Sequence, residues 1–193
     1  MAYKIIIDPG HGGSDSGATY NGRQEKDDAL RMAMAVGDLL KNAGFDVVYT
    51  RTTDVYNTPF EKATIGNEAG GDLFVSFHRN SSPTPNTYGG VQALVYNDSG
   101  FKGTLARNIN ENLVALGFED KGVVERPNLV VLKRTKMPAV LLELGFINSD
   151  KDNQLFDEKF NEIAQAIADG IIDTLNSNGI TASQMSRYTW KNC

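Results

Sequence analysis

The sequence predicts a single α/β domain in which a largely parallel or mixed sheet lies between layers of helices. Two observations support this fold class. Short apolar runs alternate with longer segments of helical periodicity almost throughout the chain, as expected when strands and covering helices follow each other. The 193 residues, 40% hydrophobic and 22% charged, are enough for about one domain with a substantial core.

The strands are predicted from short runs of apolar, β-branched or aromatic residues, which is the composition of strands buried in a sheet. Several of these runs are bounded by glycine, proline or asparagine, the residues that favour turns. In chain order, the predicted strands are residues 3–8, 45–50, 73–78, 90–96, 128–132 and 139–144.

The helices are predicted from apolar residues that recur three or four positions apart. The first helix carries Ala29, Met32 and Ala33 on one face and ends at Gly44. Proline is favoured at the first helical position, so Pro59 marks the start of the second helix. In chain order, the predicted helices are residues 25–43, 58–69, 102–116 and 158–175.

The periodic pattern stops at Leu175, and after Asn176 the sequence becomes polar and aperiodic. We therefore predict a folded domain over residues 1–176 and a linker-like or tag-like tail over residues 177–193. The only cysteine, Cys193, ends that tail. This position excludes an intrachain disulfide and cysteine ligation of a metal within the folded part.

Charge and hydropathy exclude two classes of partner. The formal net charge is −5 and no cluster of lysine or arginine interrupts it, which argues against nucleic acid. No apolar run approaches the roughly 20 residues needed to cross a bilayer, so we expect no membrane insertion. The first apolar run breaks at Asp8, too soon for the core of a signal peptide.

The two histidines give the strongest indication of function. His11 follows the first predicted strand, and His78 ends the third. Because ligands collect at the carboxyl ends of strands in an open α/β sheet, both histidines can converge on one metal there. No thiol is available, so the third ligand has to be a carboxylate. Glu25 suits this role because it begins a helix and lies in line with the inward face of that helix.

Glu143 is a second notable carboxylate, because it interrupts the apolar run of residues 139–146. A buried carboxylate without a partner costs several kcal/mol unless its pKa rises. The position of Glu143 at the carboxyl end of a strand therefore suggests a general base or a metal ligand.

Each of these residues also has a purely structural interpretation. A histidine at the end of a strand is often only hydrogen-bonded, and Glu25 is favoured at a helix start by the helix dipole. Glu143 could pair with Lys133 or Arg134, and the glycines around His11 could form only a tight turn. Taken singly, none of these residues decides between metal chemistry and structure.

Five motifs occur in one order along the chain. They are Asp8-Pro9-Gly10-His11-Gly12-Gly13, Glu25-Lys26-Asp27, Thr50-Arg51, the run 72–80 around His78 and the run 138–148 around Glu143. Together they resemble the zinc-dependent N-acetylmuramoyl-L-alanine amidases found among bacterial cell-wall hydrolases and phage endolysins. The resemblance covers residues 3 to about 176.

This resemblance implies a mixed sheet of about six strands flanked by helices, similar to that of zinc-dependent exopeptidases. It implies one zinc ion per chain, held by His11, Glu25 and His78, with Glu143 as the catalytic glutamate. The implied reaction is hydrolysis of the amide between N-acetylmuramic acid and the L-alanine of the peptidoglycan stem peptide. Zinc-activated water would attack this amide, and the glutamate would act as the general base.

The same resemblance implies action on the cell wall, outside the cytoplasm, on peptidoglycan or muropeptides. Since the sequence carries no recognisable signal peptide, we expect either release by cell lysis or a signal that is missing from this sequence. The linker-like tail suggests a C-terminal wall-binding module beyond the chain.

Two other functions stay open. Another zinc-dependent peptidase would use the same metal chemistry, but it needs a cationic pocket to hold a terminal carboxylate. A catalytically silent wall-binding domain could keep the same fold. Against the silent domain, all four metal and base positions hold competent residues.

Two positions depart from the family pattern: Lys62, where arginine is frequent, and Arg79, where a small residue is usual. We expect neither to touch a metal ligand, although Arg79 could change the shape or charge of the substrate groove. The connection from Leu116 to Leu129 is short and contains glycine and aspartate. We therefore do not expect the long helix that plugs the site in cell-division members of the family.

Overall fold

A six-stranded sheet forms the centre of the structure, and helices cover both of its faces. The computed structural model describes residues 3–180. The strands are β1 (Lys4–Pro9), β2 (Thr19–Tyr20), β3 (Arg23–Gln24), β4 (Asp46–Tyr49), β5 (Leu73–Asn80), β6 (Val91–Val95), β7 (Asp120–Glu125) and β8 (Ala139–Phe146). The helices are α1 (Glu25–Asn42), α2 (Pro59–Glu68), α3 (Gly100–Val114), α4 (Val130–Arg134), α5 (Asp150–Glu158) and α6 (Phe160–Ser177).

The sheet is mixed and largely parallel, which confirms the predicted fold class. Its strand order is β4-β1-β5-β8-β6-β7. The strands β4, β1, β5 and β8 run parallel to one another, whereas β6 pairs antiparallel with β8 and parallel with β7. The short strands β2 and β3 form a separate hairpin just before α1. The carboxyl ends of β1 and β5 therefore lie side by side.

The central strands contribute to two hydrophobic cores, because successive side chains of a strand point to opposite faces of the sheet. On β1, Ile5 and Ile7 join the larger core, to which α1, α3 and α6 also contribute. Ile6 joins the smaller core on the other face, together with Val131 and Leu132 of α4. No helix within residues 3–180 combines the length and apolarity needed to cross a membrane.

One predicted strand is wrong. Residues 128–132 do not form a strand, because α4 begins at Val130 and its buried residues pack into the smaller core. The sixth strand is β7 instead, a half-buried edge strand that includes charged residues and lacks a clear apolar pattern. A five-residue apolar run has no periodicity that could separate a helix from a strand. The connection from Leu116 to Leu129 contains β7 and no helix.

The last helix ends one residue beyond the predicted domain boundary, at Ser177. After it, the N–H of Ile180 donates to the carbonyl of Leu175, and the Ile180 side chain packs against the larger core. Residues 181–193 lie outside the described part of the chain. The predicted division at Asn176 therefore stays a prediction.

Candidate metal centre

The two histidines meet at the carboxyl end of the sheet. The strands β1 and β5 are parallel neighbours, with Pro9 paired to Phe77, and each strand delivers one histidine. The imidazole rings of His11 and His78 lie edge to face, with their centroids 4.8 Å apart. His11 has a φ of 56°, which is uncommon for a residue other than glycine. The chain therefore turns sharply after β1 and directs His11 back towards β5.

Glu25, the first residue of α1, lies between the two rings. Its Oε1 is 3.0 Å from Nε2 of His11 and 2.8 Å from Nδ1 of His78. The backbone N–H groups of Ala18 and Arg79 also donate to this buried carboxylate, at 2.9 and 3.0 Å. One potential ligand atom from each of the three side chains lies within 4.8 Å of the others. The structure thus brings all three predicted ligands together.

The electrostatics of the cluster favour a charged carboxylate beside basic imidazole. Burial alone would raise the pKa of Glu25, but its hydrogen bonds to His11 and His78 outweigh burial and hold that pKa well below its ordinary value. Burial lowers the pKa of His11, yet the nearby Glu25 and Asp15 carboxylates raise it to about 8 overall. Without a metal, these carboxylates favour protonated His11, so a bound cation would have to displace the proton from Nε2 before that nitrogen could act as a ligand.

Glu143 lies on the strand next to His78. The two residues are Cα partners on the parallel strands β5 and β8, so their side chains share one face of the sheet. The Glu143 side chain is partly exposed as a whole, but its Oε2 is buried and has no hydrogen-bond partner within residues 3–180. Burial raises the pKa of Glu143 to about 7. An ion pair with Lys133 or Arg134, the structural alternative, is not found within the described residues.

Asp15 is a functional candidate that the sequence did not reveal. Its Oδ2 lies 2.8 Å from Nδ1 of His11, on the side of the ring opposite to Glu25. A carboxylate at this position holds the proton on Nδ1 and leaves Nε2 free to bind a metal. Asp15 is only four residues from His11 in a polar loop, so nothing in the sequence distinguished it from an ordinary turn residue.

Arg51 holds the loop of His11 and the start of α1 together. Its buried guanidinium donates to four backbone carbonyls, and two of these belong to residues next to candidate ligands. The acceptors are the carbonyls of Pro9 at 3.2 Å, Gly10 at 2.8 Å, Lys26 at 2.8 Å and Thr53 at 3.1 Å. The sequence singled out Thr50-Arg51 as a motif but gave it no role. The structure supplies one, because this side chain fixes the backbone on both sides of the cluster.

Two glycines leave space for the cluster. A side chain at Gly10 would overlap the ring of His78, and a side chain at Gly17 would overlap both His11 and Glu25. Gly17 also has a φ of 63°, which glycine adopts at no steric cost. The glycines therefore allow the ligands to approach one another as well as allowing the chain to turn.

Arg79 does not line the groove, contrary to expectation. Alternation along β5 turns its side chain away from His78, and its guanidinium is buried against Asp28 at 2.6 Å and Asn153 at 2.7 Å. Its backbone N–H does contact a candidate ligand, Glu25, which corrects the expectation that it would touch none. Lys62 is also buried, and its ammonium group donates to Asp8 and to the carbonyl of Pro9.

A pocket of about 250 Å³ opens beside the two histidines. One side of it is polar and includes both imidazoles, Asp8, Asp15 and Lys62. The apolar lining comes from the beginning of α2, from α4 with the residue before it, and from β8. The apolar lining consists of Pro59, Leu129, Val130, Val131 and Leu141.

The donor set fits a metal ion. Two imidazole nitrogens and one carboxylate oxygen are borderline-to-hard ligands, and their convergence over a pocket leaves space for a further ligand. The buried, unpartnered oxygen of Glu143 lies on the neighbouring strand, where a polar group from outside the chain could satisfy it. These residues together can bind a metal and present a carboxylate beside it.

Known proteins are similar to this chain in sequence and in fold. A family described as N-acetylmuramoyl-L-alanine amidase matches residues 5–173. A sporulation-specific N-acetylmuramoyl-L-alanine amidase of Bacillus subtilis (strain 168) is 36% identical, over 97% of this chain and 76% of its own length. An endolysin of Bacillus phage SPP1 is 34% identical, over 91% of this chain and 67% of its own length.

A solved structure agrees with these sequence relatives. The crystal structure of an N-acetylmuramoyl-L-alanine amidase from Clostridium difficile 630 superposes with a TM-score of 0.85 and 34% identity. The superposition covers 92% of this chain and 99% of that one, so the whole six-stranded domain is shared. This chain therefore belongs to the N-acetylmuramoyl-L-alanine amidase family of cell-wall hydrolases.

Proposed function

We propose that this chain hydrolyses the amide between N-acetylmuramic acid and L-alanine of peptidoglycan, with zinc bound by His11, Glu25 and His78 and with Glu143 as the general base. The observation that carries the proposal is the convergence of the three ligands next to Glu143, whose buried Oε2 has no hydrogen-bond partner within residues 3–180. Family membership supplies the substrate class.

The choice of zinc follows from the donor set. Catalytic zinc sites have three protein ligands of nitrogen or oxygen type and keep the fourth position for water or substrate. When bound there, zinc supplies a Lewis acid that polarises the substrate carbonyl and lowers the pKa of a bound water towards about 7. Asp15 supports this assignment, because a carboxylate on Nδ1 of His11 orients the ring with Nε2 towards the ion.

Glu143 carries the proton transfers. Its carboxylate takes a proton from the attacking water and delivers it to the departing amine of L-alanine, so one group acts first as base and then as acid. Burial favours this exchange, because a pKa of about 7 lets the same carboxyl hold or release a proton near neutral pH. No serine or cysteine nucleophile is required, and both histidines are already used as ligands.

A peptidase specific for a terminal carboxylate is less well supported. Such an enzyme needs a free cation in its pocket. The cation that lines this pocket, Lys62, already donates to Asp8 and to the carbonyl of Pro9. Muropeptides therefore suit the pocket better than the carboxyl terminus of a protein.

We also propose that the described domain is the catalytic part of the protein and that it acts on the wall outside the cytoplasm. The predicted tail, residues 177–193, would connect it to a wall-binding module. Support for this arrangement comes from relatives whose length exceeds the part matched by this chain.

The test is digestion of purified peptidoglycan followed by mass spectrometry of the products. We expect stem peptides with a free L-alanine amine, together with glycan that keeps its lactyl groups. Prolonged chelation should abolish the reaction, and added zinc should restore it. Products cut at another bond, or full activity after chelation, would overturn the proposal.

A further inference from the structure

Exposed apolar side chains are concentrated at one side of the metal pocket. Within residues 3–180, six large hydrophobic side chains are exposed, and four of them belong to residues 55–60 or to α4, two segments that also contribute residues to the pocket lining. We call these four side chains the apolar rim. The apolar rim consists of Val55, Tyr56, Phe60 and Val130, with exposed fractions of 46%, 47%, 60% and 37%.

The apolar rim is continuous with the pocket. Val130 lines the pocket itself, and so do Asn57 and Pro59, which lie between Tyr56 and Phe60 in the chain. Exposed apolar side chains next to a pocket are typical of a ligand-binding groove. The same surface can therefore contact the part of the substrate that extends out of the pocket.

The apolar rim is held on rigid supports. The backbone of residues 55–56 lies directly against Gly12 and Gly13, and the N–H of Gly13 donates to Asp54 at 2.7 Å. At the start of α2, Thr58 and Glu61 form a capping box. This segment is therefore fixed to the loop that carries His11. A pre-formed surface loses little conformational entropy when a ligand binds to it.

The charge near the apolar rim identifies its ligand. Residues 53–61 contain no lysine or arginine but include Asp54 and Glu61. Both acids are already engaged, because Asp54 pairs with Lys26 at 2.7 Å and Glu61 accepts from Thr58 in the capping box. The segment therefore presents little unpaired charge to attract the charged groups of a stem peptide, and it suits a neutral ligand better. The N-acetylated sugars along the glycan strand are neutral apart from their lactyl groups, which are bound in the amide. Their C–H faces are suited to contact with aromatic rings.

We propose that the apolar rim docks the glycan strand, with neutral N-acetylated sugar rings packed on Tyr56 and Phe60. The scissile amide then enters the pocket, and the stem peptide leaves on a side away from the rim. This inference rests on the proposed function for its substrate. It goes further by assigning the sugar side of that substrate to particular residues.

The first test compares two substrates that carry the same stem peptide, one with a single sugar and one with a tetrasaccharide. The Tyr56→Ala/Phe60→Ala protein should lose about five- to tenfold in kcat/KM on the tetrasaccharide, mainly through a higher KM. Its kcat/KM on the single-sugar substrate should change much less. Tyr56→Phe, which keeps the aromatic ring, should lose much less on the tetrasaccharide than Tyr56→Ala does. Equal losses on both substrates, or no loss on either, would overturn the assignment.

The control is Tyr96→Ala, which removes an exposed tyrosine from a different pocket at the beginning of β8, near Ala139. It should leave both substrates unaffected. If Tyr96→Ala lowered the tetrasaccharide rate as much as the rim variants do, the effect would not be specific to the rim, and the proposal would fail.

The second test measures binding without turnover. Neutral oligomers of N-acetylglucosamine contain neither a scissile amide nor a lactyl carboxylate, so their affinity for the wild-type protein can be measured by calorimetry. We expect binding that weakens about five- to tenfold in the Tyr56→Ala/Phe60→Ala protein. Binding of free stem peptide that depends on these rings, with no glycan binding, would overturn the proposal. Rim-dependent glycan binding in a protein that cleaves no muropeptide would support the docking surface while refuting the proposed function.

Discussion

Replacing Glu143 by glutamine gives the sharpest test of the proposed chemistry, because it removes a proton acceptor while keeping the size of the side chain. A positioned acid–base group contributes about 10²- to 10⁴-fold to the rate. This range corresponds to about 3 to 5 kcal/mol of transition-state free energy. Since Glu143 is proposed to lie outside the ligand set, Glu143→Gln should hold zinc as well as the wild-type protein does.

The same substitution should stabilise the metal-free protein at alkaline pH. Burial raises the pKa of Glu143 from 4.5 to about 7 in the folded state. A raised folded-state pKa contributes stability that is fully present below pH 4.5 and is lost as the pH rises through 7. Ionised Glu143 therefore costs up to about 3 kcal/mol above pH 7. Glu143→Gln should remove that cost at pH 8 and change little near pH 4.

The assay combines zinc content, turnover of a soluble muropeptide and urea unfolding of chelated protein at both pH values. Glu111→Gln, which changes an exposed carboxyl on α3, is the matched control and should leave all three unchanged. A Glu143→Gln protein that keeps its zinc and cleaves muropeptides at near the normal rate would refute the reasoning. Loss of zinc together with activity would instead indicate that Glu143 is a metal ligand.

Three further predictions follow from the site and from the chain end. His11→Ala and His78→Ala should each lose most of the bound zinc, measured by elemental analysis, because each removes one of three proposed protein ligands. Full retention of zinc would show that the metal binds elsewhere. Arg51→Lys keeps the charge but cannot donate to four carbonyls at once. The free energy of unfolding, measured in urea, should therefore fall by about 2 to 4 kcal/mol, and the affinity for zinc should fall as well. An unchanged unfolding curve would contradict that role. A chain ending at Ile180 should fold and hydrolyse muropeptides normally. A chain ending at Asn176 should melt at a lower temperature, because it loses the contact of Ile180 with the core. Identical melting temperatures would show that this contact is unimportant.

The sequence predicted the positions of the main site residues because strong local signals mark them. One apolar run ends in His78, another is soon followed by His11, a third is interrupted by Glu143, and a helix begins at Glu25. In a parallel sheet the carboxyl ends of the strands share one edge, so these residues are expected to meet there. The prediction needed only the types and order of the elements that carry these residues, and periodicity indicated those correctly.

Other parts could not be predicted, because they depend on contacts between distant segments. Asp15 and Arg51 act through hydrogen bonds to a ring and to backbone carbonyls, and such acceptors leave no pattern in the sequence. The failure to predict β7, and the strand wrongly predicted over residues 128–132, have a similar cause. The strand β7 is identified by pairing with β6, and α4 by packing on the smaller core, not by their own composition.

The pairing of β5 with β8 has a consequence for engineering. His78 and Glu143 are Cα partners in the interior of the sheet, so their spacing is set by the separation of about 4.8 Å between hydrogen-bonded strands. Substitutions in the surface segment 53–58 cannot alter that spacing. If the apolar rim docks the glycan as proposed, substitutions of its exposed side chains should change substrate preference, while the relative placement of His78 and Glu143 stays as the sheet sets it.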